Sequence, residues 1–215
     1  MPAPPPLAGL KVLDCTHVIA GAWCSMMLAD LGAEVIKIEP LAGEVTRGHP
    51  KARFKAFDYV NRNKRAIAVD LANPEGAALV RDLARTADVF VENYRPGALQ
   101  RMGLGYEDLA AVNPRLVYAS VSGFGLSGPY AERGGFDLIA QGMSGIMSFT
   151  GQPDDPRPTA AGVPLSDLNA GVFAALAVLA ALRHRDVSGE GQHVESSLLE
   201  SALSYTVWET GMYLS

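Results

Sequence analysis

A chain of 215 residues, 48% hydrophobic, 19% charged and carrying a net charge of −5, can bury one sizeable core and has the wrong charge sign for general nucleic-acid binding. Its two cysteines, Cys15 and Cys24, match no zinc or redox spacing, which argues against a disulfide scaffold or a structural metal and makes a reducing cytoplasm the simplest compartment. The opening MPAPPPLAG has neither a positive n-region nor an apolar h-region, so residues 1–9 read as a proline-rich extended tail. The most apolar run, Gly171 to Leu182, is shorter than the roughly twenty residues a membrane span needs, so no membrane partner is expected.

In chain order, Leu10–Thr16 reads as a short buried strand, and Ala22–Gly32 as a helix stopped by Gly32. Ala33–Pro40 is a second strand, completing a β-α-β unit whose strands should run parallel. Arg65–Leu71 is a third strand. The helix after it has Asn73 as N-cap and Pro74 at its first position. Asp88–Tyr94 is a fourth strand, followed by short helical pieces around Gly97–Met102 and Glu107–Val112. Arg115–Ser122 is a fifth strand. Alternation throughout predicts an α/β fold with a largely parallel sheet. Ligands of such sheets lie beyond the carboxyl ends of the strands, which singles out the loops HVIAG, EPLAGEVTRG, ENYRPG and SGFGLSGP.

The last loop spells G-x-G-x-x-G from Gly123 to Gly128, the dinucleotide fingerprint. It follows a strand but leads into Pro129 and YAERGG, which has no apolar helical face. No acidic residue stands where a ribose would need one, so dinucleotide binding is rejected. The glycines are read as a tight loop that can bring backbone N–H groups near a ligand.

Ser166 and Asp167 precede a run that is apolar nearly all round and must form a buried helix, expected to stop at Arg183, His184 and Arg185. Asp167 reads as an N-cap or as a carboxylate nucleophile. The helix N-terminus is expected to favour its ionised form, and the two roles are compatible. The histidines His17, His49, His184 and His193 show no metal spacing and read as structural or surface groups.

The segments GLKVLDCTHVIAGAWCSMMLADLGAEVIKIEP, NRNKRAIAVDL, VENYRPGALQRMGL, NPRLVYASVSGFGLSGP, GFDLIAQGMSG and DLNAGVFAALAVLAALRHRDVSGEGQHVE together resemble the family III CoA-transferases. That family includes formyl-CoA:oxalate CoA-transferase and, as relatives, the 2-methylacyl-CoA racemases. The resemblance implies a Rossmann-like large domain over residues 10–215, with the second, smaller domain and the C-terminal return absent. It implies a homodimer for a full-length protein. It also implies an aspartate nucleophile at Asp167, with coenzyme A as substrate and no permanently bound cofactor. The partners are then an acyl-CoA and a small carboxylic acid, exchanged through an aspartyl anhydride and an aspartyl-CoA thioester.

Carried over position by position, the CoA contacts implied are Ile19 and Ala20 on the first β-α turn, with glutamine in some relatives at Ile19. Val69, Asp70, Leu71 and Ala72 would lie near the adenine. Asn93, Tyr94, Arg95 and Arg101 follow strand four, and Gly134, Gly135, Phe136 and Asp137 line the acyl end. Arg95 and Arg101 suit the CoA phosphates, and Arg62, Lys64 and Arg65 could add to them. The racemase branch has a histidine in a GHD-like stretch where this chain has Phe136, which cannot move a proton. An inactive CoA-binding fragment is the other alternative. Phe136, Gln141, Met143 and Met147 are expected to shape an acyl pocket that prefers an apolar body over bare oxalate.

Overall fold

The computed structural model describes residues 3–47, 56–152 and 154–215; His49 lies outside them. Its elements are β1 (Lys11–Cys15), α1 (Ala20–Asp30), β2 (Glu34–Glu39), α2 (Ala56–Asn61), β3 (Lys64–Ala68), α3 (Pro74–Ala84), β4 (Val89–Glu92), α4 (Tyr106–Ala110) and β5 (Val117–Ser122). They continue through α5 (Asp137–Met143), α6 (Ile146–Phe149), α7 (Leu165–Ser188), β6 (His193–Ser197), α8 (Leu198–Ser204) and α9 (Val207–Leu214). Short 3-10 turns sit at Val45–Arg47 and Gln100–Met102.

Among the described residues the strands form one six-stranded sheet in the order β3-β2-β1-β4-β5-β6, with every pairing parallel. This is the doubly wound order, and its direction reverses between β1 and β4. Period-two alternation assigns each strand residue to a layer. Val12, Val89, Val91, Val117 and Ala119 face α1 and α7, which contribute Cys24, Leu28, Ala174 and Val178. Leu13, Phe90 and Tyr118 face the opposite layer, with Ala77, Val80 and Ala84 of α3 and Leu109 of α4.

Several local expectations hold for the expected reasons. Gly32 stops α1 at φ +99°, and Asn73 caps α3 by accepting the Glu75 N–H at 3.0 Å. The N-terminal stretch is not simply an extended tail. Residues 6–9 turn, Leu7 is buried and donates to the Leu31 carbonyl at 3.0 Å, and Pro5 occupies the space a Gly32 side chain would need.

Helix α7 also differs from expectation. It runs one turn past Arg183–Arg185 and ends at left-handed Gly189 (φ +81°), because Arg185 turns inward to pair with Asp88 at 3.0 Å. Its 24 residues are long and apolar enough to cross a membrane, but half of that window is buried, as in a core helix. Burial is one-sided: Gly171 abuts the Ala20 carbonyl and Trp23 of α1, while Phe173 and Leu176 stay exposed.

A buried charge cluster ties the first half together. Asp14 accepts from Lys64 Nζ at 2.8 Å and Ser25 Oγ at 2.8 Å, and Lys37 Nζ lies 3.7 Å away. Lys64 also donates to the Ala22 carbonyl and to Asn61, so one ammonium group links β1, α1, α2 and β3. Burial alone would raise the Asp14 carboxyl, but Lys64 and Lys37 outweigh it and hold it below its usual value. A depressed carboxyl stabilises the fold above its unfolded pKa of about 3.9, and that contribution is lost as pH falls through the folded value. Asp14→Asn should therefore cost about 3–5 kcal/mol in urea unfolding at pH 7, since it strands two buried ammonium groups. The difference from wild type should shrink below pH 4.

Candidate functional site

Neighbouring strands β1 and β4 send their chains to opposite faces of the sheet, and a cleft of about 220 Å³ opens between their loops. Its walls are His17 to Ala20 after β1, Asn93 to Pro96 after β4, Val121 to Gly123 at the end of β5, Arg133 to Asp137, Asp167 and Leu198. Of the expected contacts, Ile19, Ala20, Asn93, Tyr94, Arg95, Gly134, Gly135, Phe136, Asp137 and Asp167 come together here.

Val69, Asp70, Leu71, Ala72 and Arg101 do not line the cleft. The Val69 side chain is buried in the α3 layer, so only its backbone could meet a ligand. Residues 69–72 nonetheless leave the carboxyl end of β3, two strand spacings from β1, or about 10 Å. The basic run does not serve the cleft. Lys64 is buried on Asp14, Arg62 is paired with Asp30, and Arg65 with Glu34. Each faces a carboxylate that the sequence pattern alone could not place beside it.

Asp167 is not the N-cap of α7. The helix begins at Leu165 behind Pro164, leaving Asp167 in the first turn. The cap arrives from α5: Asp137 Oδ1 accepts the Ser166 N–H at 2.8 Å and the Asp167 N–H at 3.3 Å. Asp137 Oδ2 accepts from Gln141 Nε2 at 2.6 Å. Gln141 also donates to the Val163 carbonyl at 3.0 Å and accepts the Ala161 N–H at 2.9 Å. It is thus a fully buried strut, not an acyl-pocket wall. Met147 lines a separate depression with Phe149 and Arg157, Met143 is exposed, and of the four side chains expected at the acyl end only Phe136 lines the cleft.

The charge state of Asp167 also departs from expectation. Burial, and then the Asp137 carboxylate, push its carboxyl up to about 6. The helix N-terminus does not win because Asp137 already occupies its N–H groups. At neutral pH Asp167 is still mostly ionised, and it is poorly solvated and repelled by its neighbour, which suits a nucleophile.

Sequence reasoning passed over several wall residues. His17 lines the cleft edge-on to Tyr94 at 4.9 Å, and burial holds its imidazole below the usual value, hence neutral. It is part of the cleft wall, not simply a structural or surface group. Arg133 lies over the Tyr130 ring at 4.2 Å and lines the cleft. Its signal was the glycine pair beside it. The G-x-G-x-x-G stretch has a packing role: a Cβ on Gly123 would sit 2.5 Å from the Gly135 Cα, and one on Gly135 2.3 Å from the Gly123 Cα. Two glycine backbones in contact thus join the β5 loop to the Gly134–Asp137 segment that carries the α7 cap.

The description of CoA-transferase family III matches residues 7–215. The chain is 47% identical over 207 residues to a succinate–glutarate CoA-transferase of Agrobacterium fabrum, covering 91% of this chain and 52% of that protein. It is 44% identical to an acetyl-CoA:oxalate CoA-transferase of Acetobacter aceti, covering 95% and 54%. A crystal structure of a CAIB/BAIF family protein from Brucella suis superposes with a TM-score of 0.93 at 41% identity, covering 99% of this chain and 58% of that one. The chain spans about half the length of the curated relatives it matches.

Three measurements check this geometry. Carboxyl NMR titration should find Asp167 near 6, and Asp137→Asn should lower it, because the remaining amide oxygen can still cap without a charge. A raised carboxyl destabilises the fold as pH rises from the unfolded value of about 3.9 to the folded one, so Asp167→Asn should gain stability relative to wild type over that window. Gly135→Ala should destabilise by about 1–3 kcal/mol in thermal unfolding, since its methyl would strike backbone and not a flexible side chain.

Proposed function

The chain belongs to CoA-transferase family III, and on that premise we propose that it moves CoA between an acyl-CoA and a carboxylic acid with Asp167 as nucleophile. The observation that carries the reading is the Asp167 carboxylate, poised near 6 in a cleft at the strand-order reversal. An Asp167 oxygen attacks the thioester carbon, and the CoA thiolate leaves, giving an aspartyl anhydride. The thiolate then attacks the aspartyl carbonyl, forming an aspartyl-CoA thioester and releasing the first acid as its carboxylate. The incoming carboxylate attacks that thioester to form a second anhydride, expelling the thiolate. The thiolate takes the new acyl group and frees Asp167. Each step keeps the acyl group activated, so no ATP is consumed. Backbone N–H groups of the Gly134–Gly135 segment, which lines the cleft, would stabilise the oxyanions.

CoA would run from the cleft toward the loop after β3, with its adenine end at residues 69–72 and its phosphates near Arg95 and Arg101. A dicarboxylate substrate is favoured over one with a long apolar body. Arg95 and Arg133 both line the cleft, the expected methionine and glutamine walls are elsewhere, and relatives are named for succinate, glutarate and oxalate. Phe136 at the position of the racemase histidine favours transfer over racemisation. The exposed apolar side chains Phe173, Leu176, Trp208 and Met212 support a homodimer, and two buried free thiols support a cytoplasmic setting.

Calorimetry should show CoA binding and no comparable NADH binding; tight NADH binding would revive the dinucleotide reading. Asp167→Asn should keep CoA affinity but lower transfer between succinyl-CoA and a second dicarboxylate by about a thousandfold or more, measured by mass spectrometry. Wild-type activity should fall as pH drops through about 6, as Asp167 takes up a proton. Near-normal turnover in the Asn variant would remove Asp167 from the mechanism.

A further inference from the structure

Val18 adopts φ +62°, the left-handed region, where a β-branched side chain is strained. It stands in the turn between β1 and α1, whose residues His17 to Ala20 form one wall of the cleft. Such a conformation persists only where its surroundings hold it. Asn93 grips the residue before it on both sides, accepting the His17 N–H at 2.9 Å and donating to the His17 carbonyl at 2.7 Å. The Val18 N–H itself is taken by Glu44 Oε1 at 2.9 Å.

Glu44 comes from a loop that contributes no wall to the cleft. It is buried and held at both ends. Its Oε2 accepts the Thr46 N–H at 3.0 Å, and its own N–H goes to Glu39 at 3.1 Å, a carboxylate that in turn pairs with Arg47. We propose that Glu44 is a positioning residue that clamps Val18 in its left-handed conformation and thereby sets where the first N–H groups of α1 face the cleft. Those groups, on Ile19 and Ala20, have no acceptor within the helix and are the ones a CoA thioester or phosphate would meet. This rests on the reading of the cleft as the CoA site.

The test is a double-mutant cycle on Glu44→Ala and Val18→Gly, with Glu44→Gln as the conservative variant. Amide hydrogen exchange at residues 19–22 is read without ligand, and CoA affinity by calorimetry. Glu44→Ala should speed exchange and weaken CoA about tenfold, the size of one lost hydrogen bond at a binding wall. Val18→Gly removes the strain but also a side chain of the cleft wall, so its own exchange and CoA affinity are the baseline for the double variant. On that baseline Glu44→Ala should cost much less than it does beside Val18, whereas a general structural role for Glu44 would leave the losses additive. Glu44→Gln keeps an acceptor for the Val18 N–H but sets its amide NH2 against the Thr46 N–H, so it should fall between wild type and Glu44→Ala. Equal losses with and without Val18→Gly, or unchanged exchange in Glu44→Ala, would overturn the clamp. Should Glu44→Ala fail to fold, recovery of folding in the double variant supports the clamp, and equal failure overturns it. A wild-type chain that does not bind CoA would defeat the reading of the cleft, while the exchange cycle still decides the clamp.

Discussion

A parallel strand cannot return directly to its neighbour, so each strand delivers its loop to the same edge of the sheet. At β1 this has a particular result. Its two neighbours are β2, which follows it in the chain, and β4, which comes much later, so the chain winds away from β1 in two directions. No crossover covers the gap between their loops, and the cleft is what remains. Asn93 bridges that gap by bonding both backbone groups of His17, extending the β1–β4 pairing by one side chain where the backbone ladder has stopped. Gly21 completes the joint: a Cβ there would lie 2.6 Å from Thr16 and 3.3 Å from Asn93. The floor of the site is thus a consequence of the sheet's winding, finished by one amide and one missing side chain.

Two carboxylates, Asp14 buried outside the cleft and Asp167 in its wall, are treated in opposite ways. Asp14 lies beneath the β1 turn between two ammonium groups, and its attraction to them outweighs the cost of burial. Lys37 then passes a hydrogen bond to the Thr16 carbonyl at 2.7 Å, so the same ion cluster braces the residue from which the turn departs. At Asp167 the neighbouring Asp137 carboxylate adds to the cost of burial, so burial and repulsion act in the same direction. Asp14 is therefore held as a structural charge, whereas Asp167 is left near the range where it can exchange between bonded and ionised forms.

Asp137 connects these electrostatics to the loops. By capping α7 from α5 it sets the direction of the first turn of α7, and with it the Asp167 backbone. Its own position depends on the contact between Gly123 and Gly135, two loops that are only one glycine backbone apart. Within the G-x-G-x-x-G spelling, Gly125 and Gly128 serve left-handed turns at φ +87° and +90°, whereas Gly123 is required by close packing. At Gly123 another backbone passes where a side chain would be, and that backbone is protein, not a pyrophosphate.

The alternation of strand and helix, the Asn73 cap and the Gly32 stop were legible in the sequence, because each depends on residues close together in the chain. The family was legible for the same reason: its motifs are continuous stretches, and Asp167 sits inside one. What the tertiary structure decided were pairings over long separations. Lys64 reads as a candidate phosphate contact until Asp14, fifty residues earlier, is placed beside it. Asp167 reads as a cap until Asp137, thirty residues earlier, takes that place and raises the Asp167 carboxyl in doing so. Gln141 reads as a pocket wall until its three hydrogen bonds turn it inward, and Glu44 carries no signal until Val18 needs it. Local pattern specifies backbone and burial, since those follow from propensity and period. Charge state and side-chain role depend on which distant group ends up within a few ångströms, and only the folded chain decides that.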